Sequence, residues 1–251
     1  MNLDPRRFPT EARAALNNPN LRPVLGRLKT GLIAGRAAAA KRYGDFEGLR
    51  EAGRDIRDYA VTHLGTLLET FEANVKARGG TVHWAYDAAE ARQAVLNILQ
   101  QAGARMVTKG KSMVAEEIGL NPFLEANGIV PVETDLGEYI VQLRNEPPSH
   151  IIAPEFHLSK EQVAESFREA HKELDPNRSL VERNTLVQEA RQVLRDKFET
   201  ADAGITGANF LSAADGAAVL VTNEGNGDLT RLLPKTHIVV TGIEKVVADM
   251  Y

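Results

Sequence analysis

Two lysines flank a glycine in a segment whose chemistry suits the binding of an anion. The segment Thr108-Lys109-Gly110-Lys111-Ser112 follows a strand pattern at residues 105–108 and precedes a helical pattern. Glycine lets the backbone approach a ligand, and two ammonium groups attract negative charge. The glycine spacing of a Walker A motif is absent. We therefore predict that Lys109, Lys111 and Ser112 bind a small carboxylate or phosphate. The alternative is a solvated turn in which Ser112 only caps a helix.

Two further segments concentrate glycine and amide side chains. Thr206-Gly207-Ala208-Asn209 precedes Asp215-Gly216, which is typical of a hairpin turn. Residues 222–228 follow a strand pattern at 218–222, and Glu224 among them could act as a nucleophile, a general base or a hydrogen-bond acceptor. A plain polar loop is the alternative. The candidate ligand-binding residues of these two segments are Thr206, Gly207, Asn209, Asn223, Glu224 and Asn226.

The histidines do not form a recognisable metal-binding pattern. His150 and His157 lie on either side of Pro154, and His237 begins a strand pattern. No pair of histidines has helical ligand spacing, so we predict no metal site. Trp84, the single tryptophan, is expected in the core rather than under a cofactor.

The composition excludes several classes of protein. The 251 residues include no cysteine, which excludes disulfides, a thiol nucleophile, cysteine-ligated zinc and ordinary iron–sulfur clusters. The formal net charge of −4 argues against a nucleic-acid-binding protein. No apolar run is long enough to span a membrane, and the first residues lack the apolar core of a secretory signal. We therefore expect a cytoplasmic protein.

The elements that position the candidate residues alternate between strand and helix after Gly79-Gly80. Asp87 with Glu90, Ser159 with Gln162 and Ser179 with Glu182 have the spacing of capping boxes that open helices. Strand patterns occupy residues 81–86, 105–108, 129–133, 150–153, 218–222, 237–241 and 244–247. This alternation predicts an α/β domain with a largely parallel sheet flanked by helices. In such sheets ligands bind beyond the carboxyl ends of the strands, where the candidate loops lie.

The residues before Gly79 have a helical pattern only. We predict a helical N-terminal extension over residues 1–78 and an α/β domain over residues 79–251. The stretch Leu21–Gly44 carries six basic residues, namely Arg22, Arg27, Lys29, Arg36, Lys41 and Arg42, and no acidic one. A basic helix of this kind can dock on a membrane or a nucleic acid. We favour a solvated basic face or a surface for a protein partner, because acidic residues follow directly.

Five runs occur in order along the chain, at residues 108–113 (TKGKSM), 133–139 (ETDLGEY), 148–151 (PSHI), 204–210 (GITGANF) and 222–227 (TNEGNG). Together they resemble the motifs of the LUD (lactate utilization) domain family. The similarity covers almost the whole chain.

The resemblance implies a fold similar to the NagB/RpiA/CoA-transferase group. It also implies that the chain is the LUD-domain portion of an iron–sulfur electron-transfer subunit. Such a subunit takes part in the oxidation of L-lactate to pyruvate and works with the sister lactate utilization proteins A and C. Such proteins normally continue into a ferredoxin-like domain whose cysteines hold two 4Fe-4S clusters. We therefore expect these 251 residues to be the N-terminal part of a longer protein and to hold no cluster themselves.

A second hypothesis comes from a different class. Glu224-Gly225 is similar to the glutamate–glycine loop of CoA transferases, in which the carboxylate attacks a thioester. The alternative function is therefore a stand-alone CoA-transferase-like enzyme, or a small-anion-binding domain, that uses Glu224. The resemblance assigns no established catalytic residue.

Overall fold

The computed structural model describes residues 5–19, 21–149 and 153–250. Contacts divide these residues into two compact units. The first, here called the sheet unit, comprises residues 56–139 and 187–250. The second, here called the helical unit, comprises the described residues among 2–55 and 140–186.

Four parallel strands form the main sheet of the sheet unit, in the order β2-β1-β3-β6. The strands are β1 (Met106–Gly110), β2 (Val130–Glu133), β3 (Ala203–Thr206) and β6 (Thr236–Val239). All residues of β3 and all but the first of β1 are buried, as expected for central strands covered on both faces. The register places Lys109 opposite Glu133 on one side and Ile205 on the other. The predicted α/β class and the largely parallel sheet are confirmed.

Helices before and after β1 supply the main core on one face of this sheet. The helix α6 (Ala88–Gln101) begins at Asp87, whose carboxylate accepts a hydrogen bond from the Glu90 amide at 2.9 Å, as the capping pattern predicts. The core residues Leu99, Val107 and Ile205 are completely buried. The other helices that contact this sheet or its neighbouring helices are α7 (Met113–Glu117), α8 (Leu120–Ala126) and α12 (Asn226–Leu232).

A second, smaller sheet packs against α5 (Leu64–Ala77). It consists of β4 (Phe210–Ser212), β5 (Ala217–Val219) and β7 (Val246–Val247), with β4 antiparallel to β5 and parallel to β7. The predicted hairpin turn at Asp215-Gly216 therefore joins β4 to β5. Phe71, Leu211 and Val246 share the core beneath this sheet. Strands of two or three residues carry too little periodicity for a sequence pattern to separate them from loops.

The remaining helices extend over the N-terminal residues and the segments between the strands. They are α1 (Phe8–Leu16), α2 (Leu21–Leu28), α3 (Ala34–Tyr43), α4 (Phe46–Thr62), α9 (Leu136–Leu143), α10 (Lys160–Ala170) and α11 (Arg183–Thr200), with a π-helical turn at Lys29–Ile33. Ser159 and Gln162 form the predicted capping box at the start of α10. Among the helices of residues 5–19, 21–149 and 153–250, none is long and apolar enough to cross a membrane.

Three local predictions were wrong. Residues 81–86 join neither sheet, and Trp84 within them is 47% exposed instead of buried, with its indole donating to Glu72 at 3.1 Å. A β-branched pattern cannot form a strand without a neighbouring edge to pair with. The third capping box does not form, because α11 begins at Arg183, four residues after Ser179. The strand expected at residues 150–153 lies largely outside the described residues.

Candidate functional site

The candidate loops meet at the carboxyl ends of the parallel strands of the sheet unit. The carbonyl of Lys109 accepts hydrogen bonds from both the backbone amide and the hydroxyl of Thr134, which ties the end of β1 to the loop after β2. Asn226, at the start of α12, donates to the carbonyl of Thr134 at 3.1 Å. The loop after β3 contacts Lys111 through Gly207, and the loop before α12 contacts it through Asn223. Residues distant in sequence therefore converge on one edge of the sheet.

Lys109 does not face this edge, because its side chain is completely buried. Its Nζ lies 2.7 Å from an oxygen of Glu116 on α7 and 2.8 Å from an oxygen of Glu133 on β2. Burial opposes the charged form, but the carboxylates of Glu133, Glu116 and Glu138 outweigh it and raise the pKa of Lys109 above its ordinary value. The charge of Lys109 is thus neutralised inside the protein. This arrangement argues against the predicted direct contact between Lys109 and a ligand.

Glu138, on the first turn of α9, completes the buried charged group around Lys109. Burial, together with the neighbouring Glu133 carboxylate, raises the pKa of Glu138 from its ordinary value of 4.5 to about 8, although Lys109 acts to lower it. Two adjacent carboxyl groups near a single ammonium are easier to bury when one of them keeps its proton. The raised pKa thus favours the protonated form of Glu138 beside Glu133.

Three candidate residues have structural hydrogen bonds. The Ser112 hydroxyl accepts from the Ala115 amide and donates to the Val240 carbonyl, so the capping alternative describes it correctly. The Thr206 hydroxyl lies 2.8 Å from Nε2 of His237. The amide oxygen of Asn209 accepts from the Val221 amide at 2.8 Å and holds the turn that follows β3. Each of these contacts connects neighbouring segments of the site.

Lys111 is the cation that faces the strand-end edge. Its Nζ lies 3.1 Å from the amide oxygen of Asn223 and 3.9 Å from a carboxylate oxygen of Asp135. The backbone of Lys111 has φ of 58°, a left-handed conformation that residues with a side chain rarely adopt. Gly207 lies so close to it that a Cβ added there would be 2.4 Å from the Lys111 carbonyl oxygen. Gly207 therefore allows the loop after β3 to pass beneath Lys111.

The loop before α12 closes the other side of the site. Asn223 and Glu224 are exposed, whereas Asn226 is buried. The side-chain oxygen of Asn226 accepts a hydrogen bond from the backbone amide of Gly227. A Cβ added at Gly227 would lie 3.5 Å from Cδ of Lys111, so the lysine stem passes over this glycine. The candidates that reach the open edge are thus Lys111, Asn223 and Glu224. Thr206, Gly207 and Asn226 are buried, whereas Asn209 is exposed at the turn that it holds.

Sequence reasoning did not select Asp135 as a site residue, nor the acidic partners of Lys109. Asp135 and Glu133 flank the end of β2, and the strand-end rule that drew attention to Lys111 applies equally to them. The burial of Lys109 could not be found this way, since it depends on a pairing between β1 and β2 that a pattern along one strand does not reveal.

The composition of the chain does not fit an iron–sulfur cluster, and its described residues do not fit a metal ion. The sequence has no cysteine, and the described residues hold no group of three histidine or acidic side chains arranged to bind a metal. His150 lies outside the described residues. His157 pairs with Glu146 in the helical unit, and His237 has its pKa lowered by burial in the sheet unit. No step of the chemistry is therefore assigned to a metal centre in these residues.

Together these features define an α/β protein with a small polar site at the carboxyl edge of a parallel sheet. The site offers one accessible ammonium, an amide and carboxylates, which can hold a small anion by charge and hydrogen bonds. A family model described as the LUD domain matches residues 68–251, well over half of the chain. The chain therefore belongs to the LUD domain family.

Curated relatives match the chain over almost its whole length. A protein named lactate utilization protein B from Geobacillus sp. (strain WCH70) is 41% identical over 250 residues, covering 98% of this chain and 51% of that protein. Proteins of the same name from Bacillus licheniformis and Bacillus subtilis (strain 168) are 41% identical over 248 and 241 residues, covering 98% and 96% of this chain and 51% and 50% of those proteins. The chain spans about half the length of the curated relatives it matches. No solved structure matches it.

Proposed function

We propose that this chain is the LUD-domain portion of an electron-transfer subunit that takes part in the oxidation of L-lactate to pyruvate. The observation that supports this function is the identity of about 40% to proteins named lactate utilization protein B along 98% of the chain. The subunit would act with the sister lactate utilization proteins A and C. Identity of this extent over the whole chain favours a shared role more strongly than the fold does, because one fold serves many functions.

The electron carriers of this subunit would lie outside these residues. Oxidation of lactate to pyruvate releases two electrons and two protons, and the electrons require a redox centre. The chain contributes no thiolate to such a centre. We therefore assign the two 4Fe-4S clusters of the full-length protein to the half of the relatives that this chain does not match. The role of the LUD portion would be to bind a small anion or to contact sister subunits.

Growth on lactate tests the proposed function. A strain of the source organism that lacks the gene should fail to grow on L-lactate as the sole carbon source and should grow normally on pyruvate. Reintroduction of the intact gene should restore growth on L-lactate. Unimpaired growth of the deletion strain on L-lactate, in the absence of another lactate dehydrogenase activity in its extract, would contradict the proposal.

The stand-alone CoA-transferase-like function remains the second candidate, because Glu224 is exposed beside Asn223 at the open edge of the site. In that reaction the Glu224 carboxylate would attack the thioester carbonyl of an acyl-CoA and release the CoA thiolate. Mass spectrometry of the chain after incubation with an acyl-CoA detects such an adduct. A covalent adduct that Glu224→Ala abolishes would favour this candidate over the first.

A further inference from the structure

The side chain of Lys111 is half-buried, and its ammonium is only partly hydrogen-bonded. Its side chain is 19% exposed, and its contacts are the Asn223 amide oxygen at 3.1 Å and the Asp135 carboxylate at 3.9 Å. The second distance is too long for a hydrogen bond. An ammonium has three donors, so a single neutral acceptor leaves most of its capacity unused. An anion between these side chains would provide the missing acceptors.

The backbone holds Lys111 in place before any ligand arrives. Lys111 keeps its left-handed conformation while its carbonyl lies against Gly207, and its stem extends over Gly227. Strained backbone of this kind persists where the surrounding structure determines it fully, and it occurs often at ligand sites. The lysine therefore spends little conformational entropy when it binds.

We propose that Lys111 binds the carboxylate of a small monocarboxylate such as L-lactate, with Asn223 as a second polar contact and Asp135 as the internal competitor that the ligand displaces. The inference rests on the proposed function and names the ligand class of the same site. Lys109 takes no part in the contact, because Glu116 and Glu133 already bind its ammonium.

The charges around Lys111 favour a monoanion over a phosphate. One ammonium neutralises one negative charge, and Asn223 contributes none. Asp135 lies 3.9 Å from the ammonium and would repel a dianion more strongly than a monoanion. The exposed carboxylate of Glu224 in the same loop as Asn223 adds to this repulsion. A small carboxylate with a single charge is therefore the better match.

Nuclear magnetic resonance of the 251-residue chain tests the assignment. L-lactate, added at millimolar concentrations as the sodium salt with sodium chloride as the reference, should shift the backbone amide signals of Lys111, Asn223 and Asp135 in a saturable way. Inorganic phosphate is the second probe, and it should bind more weakly than L-lactate. Added salt should weaken the binding, since the attraction is electrostatic.

Two substitutions should change the affinity in opposite directions. Lys111→Met keeps the stem and removes the charge, and it should weaken L-lactate binding at least about tenfold, as expected for a charge-assisted hydrogen bond. Asp135→Asn removes the competing carboxylate and should strengthen binding. Lys235→Met, which changes an exposed lysine before β6, is the matched control and should leave the affinity unchanged. If substitutions at this edge acted only by destabilising the protein, Asp135→Asn would not bind L-lactate more tightly.

Each outcome decides the assignment. Absence of saturable shifts with L-lactate, shifts that Lys111→Met leaves intact, or tighter binding of phosphate than of L-lactate would each overturn it. The failure of the proposed function is separate, because a deletion strain that still grows on L-lactate contradicts that function even when L-lactate binds at Lys111. Conversely, a growth defect with no binding at Lys111 overturns only the ligand site.

Discussion

The Nζ of Lys109 and an oxygen of Glu133 lie 2.8 Å apart, with both side chains buried between β1 and β2. The strand register places these two residues directly opposite each other, so the pair forms wherever the two strands pair. Only two residues further along, Lys111 faces the open edge. Two lysines separated by one glycine therefore occupy opposite environments.

Loss of the Lys109 charge should strongly destabilise the sheet unit. Lys109→Met leaves the carboxylates of Glu133 and Glu116 without their cation, and removal of one partner of a buried ion pair costs about 3–5 kcal/mol. Urea denaturation followed by circular dichroism measures the free energy of unfolding.

Glu116→Gln, which changes the more exposed partner of Lys109, should have a smaller effect on stability, and this effect remains measurable if Lys109→Met does not fold. Lys245→Met, at an exposed pair, should change the stability by about 1 kcal/mol or less. Equal effects at Lys109 and Lys245 would contradict the internal role of Lys109.

The carboxyl group of Glu138 should make stability fall as the pH rises. Its pKa in the folded state is about 8, above the ordinary value of 4.5, so the folded protein binds this proton more tightly than the unfolded chain. The resulting stabilisation is fully present below about pH 4.5 and is lost as the pH rises through about 8. Glu138→Gln should flatten the dependence of the unfolding free energy on pH across this interval. Identical pH profiles for the variant and the unchanged chain would show that Glu138 does not hold the proton.

A methyl group at Gly207 should disturb the site. The added Cβ of Gly207→Ala would lie 2.4 Å from the carbonyl oxygen of Lys111, so one of the two loops must move. Overpacking of this kind typically costs about 1–3 kcal/mol. Gly53→Ala in α4 is the control, because nothing lies within 4 Å of the added Cβ and alanine favours a helix by about 0.5–1 kcal/mol. Denaturation curves should therefore shift in opposite directions, and a stabilising effect of Gly207→Ala would show that the loops are not in close contact.

The parts of the fold that follow from local chemistry could be predicted from the sequence. Asp87 caps α6 and Ser159 caps α10 because each hydrogen bond involves residues three positions apart. The strand pattern at residues 129–133 corresponds to β2. Residues 81–86 are rich in β-branched and aromatic side chains but join neither sheet, and no local pattern contains that information.

In the candidate site, too, some features could be predicted from the sequence and others could not. The loop position of Lys111 follows from the end of β1 before it, so the sequence brings it forward as a candidate. Asn223 follows β5 of the smaller sheet, which ends at Val219, and only the folded chain brings it to Lys111. The environment of Lys109 depends on Glu133 from another strand and Glu116 from the following helix. A lysine in a strand-end loop is usually solvated, and only the three-dimensional pairing distinguishes the buried one from the accessible one.

The last prediction concerns iron. The 251-residue chain should bind no iron–sulfur cluster after anaerobic reconstitution with iron and sulfide, because thiolates hold nearly all such clusters and the sequence has none. The imidazole of His237 contacts Thr206, and that of His157 contacts Glu146 in the other unit. Visible absorbance and iron analysis measure the outcome, with a full-length relative such as the Bacillus subtilis protein as the positive comparison. Stoichiometric cluster absorbance in the 251-residue chain would refute the assignment of electron transfer to other residues, whereas absorbance confined to the longer protein would support it.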